Sequence, residues 1–312
     1  MKHIRQIAHP FNLSFKCIFT YFPGEEIESL GIPGEFIHVL SEKLYGDLKE
    51  MEMDGPYLSV WGDGDLKQVF ACDVEHDNQP PNPKNFPRFS RYILRLIQIT
   101  GRAPFFSVAS KHAPPESALE FEISPSLTLK PFYPDLGELN NRERLNTVRN
   151  KINFNREISI KTGLHLANAL LFVPNECAEQ RVIEALNYYL DAEITDSRLE
   201  FVLCTVVSCM VDAYVEKEED YRRYMKLIND KSSVDAVESR DFFVYMQNKA
   251  DKAVNELNKA LDDNASLTNK NLSLTDEKSA LIDGIAKALS CPNCSSGVRT
   301  ILSSLIDKYG DN

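Results

Sequence analysis

The chain has 312 residues, 43% of them apolar and 26% charged, with a formal net charge of −11. Those proportions are globular and exclude wholesale disorder, and the length suffices for one large core or two ordinary ones. The acidic balance excludes a chain that coats nucleic acid or anionic membrane over its whole surface; residues 1–135 carry 13 basic and 18 acidic side chains, and the remainder 22 and 28.

The opening Met-Lys-His-Ile-Arg-Gln is not followed by an apolar run long enough for a signal peptide. The most apolar stretch, Phe201 to Val215, is too short for a membrane span. Seven cysteines, an odd number, argue against a disulfide framework and for reduced thiols. A soluble, cytoplasmic protein with no membrane partner is the expectation.

Leu13, Phe15, Cys17, Phe19 and Tyr21 alternate with Ser14, Lys16, Ile18 and Thr20, the period of a half-buried strand. From Glu35 to about Glu50, Phe36, Val39, Leu40, Leu44 and Leu48 recur at helical spacing. Tyr57–Trp61 and Leu66–Val74 read as strands joined by Gly62-Asp63-Gly64-Asp65, a hairpin signal. A proline-rich connector (Pro80, Pro81, Pro83, Pro87) leads into the segment Arg88 to Thr100, and Phe105–Ala109 and Leu119–Ile123 read as further strands. The pattern predicts an α+β unit with a mainly antiparallel sheet.

Fourteen of the 16 prolines lie at or before Pro134, leaving Pro174 and Pro292 beyond it. Proline removes an amide donor and fixes φ, so helix interiors exclude it. The second part is accordingly free to be helical. Asn140–Ile152, Ile158–Phe172, Glu176–Ala192, Asp196–Val215 and Asp241–Leu261 show helical apolar spacing, with Thr195 placed to cap the fourth. A break over Asn264–Leu274, a helix start at Thr275 and a last amphipathic helix from Val298 to Tyr309 complete an all-α bundle. Two domains are expected, 1–135 (α+β) and 138–312 (α-helical).

Few strings carry chemistry. Cys291-Pro-Asn-Cys294 could supply half a zinc shell or form a redox pair at a helix N-terminus, but no second pair of ligands stands at matching spacing, and an ordinary helix–helix turn with incidental thiols is the competing reading. Asp63, Asp65, Asp73 and Glu75 with Lys67 could hold Mg²⁺ and orient water for a metal-dependent nuclease, or be the wet face of a hairpin. His112, in a loop before Ala-Pro-Pro, could reach a ligand. No nucleophile elbow or Gly-rich phosphate loop occurs, so no catalytic centre, cofactor or metal site is assigned.

The basic residues are more informative. Arg88, Arg91, Arg95 and Arg102, extended by Lys84, fall on one side of a helix whose other side is Phe89, Tyr92, Ile93, Leu96 and Ile97. A second run, Arg142, Arg144, Arg149, Lys151, Arg156 and Lys161, begins the second part. Arginine's planar fork takes phosphate oxygens in pairs, so two such surfaces across an interdomain groove would suit RNA or a nucleotide. The competing reading is a solvated face paired to the chain's own carboxylates.

The stretch Ala185-Leu-Asn-Tyr188-Tyr189-Leu-Asp-Ala192, a short polar turn, then Arg198-Leu-Glu-Phe201 leading to Asp212-Ala213 resembles part of HEPN-type helical domains. The resemblance covers residues 181–214 and implies an RNA-binding or RNA-processing module of microbial defence systems. That family's catalytic pattern places an arginine four to six residues before a histidine. Here Arg149-Asn150 is followed by Phe154 and Asn155 instead, which implies a catalytically silent role. The resulting expectation is a recognition or regulatory protein with an RNA or protein partner. The rivals are the nuclease and a scaffold that forms homo-oligomers through its C-terminal helices.

Overall fold

The computed structural model describes residues 7, 9–40, 43–45, 50–52, 55–62, 67–77, 81–124, 127–155, 157–173 and 177–244, which fall within one compact unit spanning Met1–Asn248. The fold is α+β: a mixed, mainly antiparallel sheet with helices, followed by a helical region. The expectations for 245–312, including the helix over Asp241–Leu261 beyond residue 244 and the Cys291–Cys294 pair, lie outside the described residues.

The first segment corrects the sequence reading. Residues Pro10–Tyr21 form helix α1, not a strand. Every residue from Leu13 to Phe19 is buried, Ser14 and Lys16 included, so the helix has no wet face to print a 3.6-residue period. The alternation of apolar and polar letters mimicked a strand. Pro10 occupies the first turn, where its missing N–H costs nothing, and Ser14 Oγ turns back onto Pro10 O at 2.7 Å. Helix α2 (Pro23–Leu30) follows after one residue and ends on Gly31 at φ 72.

The helix expected from Glu35 is also overturned. Glu35–Val39 is strand β1, and Lys43–Tyr45 (β2) and Glu50–Glu52 (β3) pair as a small antiparallel ladder. Gly34, at φ 98, starts β1 in a left-handed conformation where a Cβ would run into the Trp61 ring. The hairpin stands as expected: β4 (Pro56–Trp61) pairs antiparallel with β5 (Gln68–Asp77) from Pro56↔Asp73 to Trp61↔Gln68. Helix α3 (Phe86–Thr100) crosses back to β6 (Pro104–Ser110), which lies parallel to β5. The sheet order is β1-β4-β5-β6, and β7 (Phe121–Ser124) pairs with β8 (Leu127–Leu129) apart from it.

Strand β5 is covered on both faces. Cys72 and Val74 join the large core that contains Phe15 and Phe19 of α1, while Ala71 joins a second core beneath α3. By the two-residue alternation of a strand, Asp73 and Glu75 share the α3 side with Ala71.

Helices α4 (Glu138–Asn155), α5 (Ile160–Leu171), α6 (Ala178–Asp191), α7 (Ser197–Tyr214) and α8 (Glu218–Lys231) follow, the first four near their expected bounds. Helix α7 is the hub, buried from Phe201 to Ala213 and packed by α1, α5, α6 and α8. Gly163 lets α5 approach α7, since a Cβ there would come 2.6 Å from Leu199. Asp196, rather than Thr195, caps α7 by accepting the N–H groups of Arg198 and Leu199; Thr195 Oγ1 reaches Glu157 at 3.3 Å. The large core runs from Leu13 through α5 to Ile228 in α8, so residues on both sides of position 135 share it. No helix among the described residues is long and apolar enough to cross a membrane.

Candidate functional site

Helix α3 is where sequence and structure meet most clearly. Phe86, Phe89, Tyr92, Ile93 and Leu96 are buried against Ala71, Phe106 and Val108 of the sheet. That inner row fixes the helix and forces the intervening residues outward. Arg88 and Arg91 are exposed and Arg95 is half-buried, while Arg102 stands exposed just beyond the Gly101 cap. Leu94 and Ile99 lie between them at 46% and 56% exposure. The outer face is therefore arginine interleaved with aliphatic surface.

The arginines differ in what holds them. Arg88 pairs with buried Glu75 of β5 at 3.2 Å and lies over the Phe89 ring at 5.0 Å. Arg95 Nη1 donates to Gln98 Oε1 at 2.6 Å. Arg91 Nε donates to Pro87 O of its own helix, and the Arg102 N–H to Thr100 Oγ1. Among the described residues, neither Arg91 nor Arg102 is paired with a carboxylate.

The second basic run is placed differently. Arg142 is exposed but pairs with Glu138 one turn back, and Arg181 joins the same carboxylate at 3.1 Å. Arg144 is buried; its Nη2 donates to Ser29 O at 2.7 Å and its Nε to Asn140 Oδ1 at 3.0 Å. Burial lowers its pKa while Glu26 and Asp135 nearby raise it. Arg149 is exposed and reaches the Tyr188 phenol, and Lys161 pairs with Glu28 at 2.8 Å. Arg156 lies outside the described residues. Helix α4 packs on α5 and α6, whereas α3 packs on β5, β6 and β7, so the two arginine rows rest on different supports.

The acidic string divides. Asp63 and Asp65 lie outside the described residues. Asp73 and Glu75 are buried at 0% and 2% exposure rather than solvated. Lys67 is exposed at the other end of β5, six residues from Asp73 and so about 20 Å along the strand. The lysine cannot orient water at those carboxylates. Among the described residues no group of three or more His, Cys, Asp or Glu side chains is placed to hold a metal ion.

His112 is half-buried at the carboxyl end of β6, where its N–H donates to Ser110 Oγ. It helps line a cavity of about 170 Å³ with Lys111, Tyr133 and Asp135. Lys111 Nζ is turned inward, to Val173 O at 3.1 Å and Tyr214 Oη at 3.3 Å. His76, one strand over and half-buried, has its pKa pushed down to about 3 by desolvation and then by Lys111, so it is neutral. No family model, curated protein or solved structure matches the chain.

One signal goes beyond the spacing of the arginines. Between Asp77 and Glu116 no Asp or Glu occurs, while Lys84, Arg88, Arg91, Arg95, Arg102 and Lys111 do. In a chain of net charge −11 this is the strongest local excess of positive charge around α3. Counting charge in windows would have found it.

Proposed function

We propose that the protein recognises RNA through the outer face of α3, acting as a regulatory module rather than a catalyst. The observation that carries this reading is the acid-free run from 78 to 115, in which Arg91 on α3 and Arg102 just past its end are exposed and not paired with a carboxylate. Guanidinium groups in such a row meet successive phosphates with paired hydrogen bonds, and Leu94 and Ile99 offer apolar surface to the sugars and bases between. A net-acidic remainder confines the attraction to one face and repels polyanions elsewhere. The likeness of α6 and α7 to HEPN-type helices supports a place in microbial defence.

The direct test is fluorescence anisotropy with a single-stranded RNA homopolymer at low salt. Arg91→Glu with Arg102→Glu reverses two exposed side chains and is expected to weaken binding by roughly tenfold or more. A wild-type chain that binds no RNA overturns the reading and leaves an acidic protein surface as the partner such a face would take.

A further inference from the structure

Glu26 on α2 and Asn168 on α5 are both fully buried and face one another. Asn168 Nδ2 donates to Glu26 Oε2 at 2.9 Å and to Ser29 Oγ at 3.0 Å. The remaining oxygens of the pair, Glu26 Oε1 and Asn168 Oδ1, are buried with no hydrogen-bond partner. These two orphans sit on the two side chains that the Nδ2 bond already joins. With an ionised carboxylate both are acceptors, and neither can satisfy the other. A proton on Oε1 makes that oxygen a donor to Asn168 Oδ1 and closes a two-bond acid–amide ring, which removes both orphans at once.

We infer that Glu26 carries a proton in the folded chain and that this proton fastens α2 to α5, so that alkaline conditions loosen α2. The consequence reaches the sheet, because α2 also packs on β1, the edge strand.

The surrounding charges fit. Arg144 of α4 is the cation nearest in effect, yet its guanidinium is committed to Ser29 O and Asn140 Oδ1. From α5, Lys161 is paired with Glu28 of α2 at the surface, and burial, then Arg144 and Lys161, push the His165 imidazole below its ordinary pKa. Glu35 and His38 of β1 and Glu25 of α2 are exposed, and Lys16 is the lysine of α1. Burial pushes the Glu26 carboxyl up to about 7, against the Asn168 hydrogen bond and Arg144, which lower it. The folded pKa thus exceeds the ordinary 4.5, so the stability this group contributes is complete below 4.5 and is lost as pH rises through about 7.

The experiment follows the thermal unfolding of the full chain from pH 5 to 8.5 for wild type and Glu26→Gln. The glutamine amide supplies the missing N–H at every pH. Wild type is expected to lose about 3 °C of Tm across pH 6–8 beyond any change in the variant, whose curve is flatter. Infrared spectra should show a protonated-carboxyl C=O band in wild type that fades as pH rises through about 7 and is missing from Glu26→Gln. Identical pH slopes with an unchanged band overturn the inference. Should Glu26→Gln fail to fold, the wild-type band decides alone: fading near pH 7 supports the proton, and no such band below pH 7 refutes it.

Discussion

Arg88 of α3 reaches Glu75 of β5 at 3.2 Å, joining a half-exposed guanidinium to a carboxylate that is only 3% exposed. This ion pair ties the arginine helix to the central strand of the sheet, and it sets the helix's rotation along with the Phe89 and Tyr92 contacts beneath. Removing the arginine leaves Glu75 buried with less compensation. Arg88→Met should therefore destabilise the fold by about 1–3 kcal/mol, measured by urea unfolding. A change under about 0.5 kcal/mol would mean the pair does not hold α3.

The helical state of α1 has a sharp consequence at Ser14. In a half-buried strand Ser14 and Lys16 would face water; in α1 Ser14 is at 0% exposure, where the helix packs on α7. Ser14→Lys should abolish or severely reduce stability, whereas Phe154→Ala, at a side chain 91% exposed, should stay within about 0.5 kcal/mol. Tolerance of lysine at position 14, read by thermal unfolding, would restore the strand reading.

Thiol reactivity should separate the described cysteines. Burial pushes Cys209 up to about 12 and Cys72 to about 11, raises Cys17 further and raises Cys204 as well, so all four are protonated and enclosed. Cys177 is the one of the five that is partly exposed. Alkylation of the native protein followed by peptide mass mapping should label Cys177 and spare the other four. Early labelling of Cys17 or Cys209 would contradict the α1–α7 packing.

His76 makes the acid side of the stability profile testable. Its folded pKa is lowered to about 3 from an ordinary 6.5 by burial and by Lys111. The stability it contributes is fully present above 6.5 and is lost as pH falls toward 3. His76→Phe, a ring that keeps the stacking on Phe15 and the tilted contact with Phe172, should show a shallower loss of Tm on acidification. An unchanged acid slope would place the titration elsewhere.

Helices with one wet face were legible in the amino-acid order. Helix α3 prints Phe89, Tyr92, Ile93 and Leu96 against Arg88, Arg91 and Arg95, and α6 prints Val182, Ala185, Leu186 and Tyr189; α7, buried from Phe201 to Ala213, was legible instead through its 18-residue length and the polar turn before it, which the shorter α1 lacks. Helix α1 was not legible because its burial from Leu13 to Phe19 leaves no polar stripe to set the period. Strand β1 was hidden by a chance spacing of Phe36, Val39 and Leu40, and its identity comes from pairing with β4. Within the site, the outward set of α3 followed from spacing alone. Arg144 looked equally basic, yet it is spent on a carbonyl 115 residues away in sequence, and Glu26 meets Asn168 across 142. Contacts of that range leave no local mark.

The salt dependence of RNA binding tests the account most directly, because it counts phosphates neutralised rather than affinity alone. For wild type, log K should fall linearly with log salt, and Arg91→Gln and Arg102→Gln should each lower the slope by about one contact for single-stranded RNA. Slopes that stay the same in both variants, or binding that ignores salt, would contradict the assignment of α3 as the phosphate-binding face.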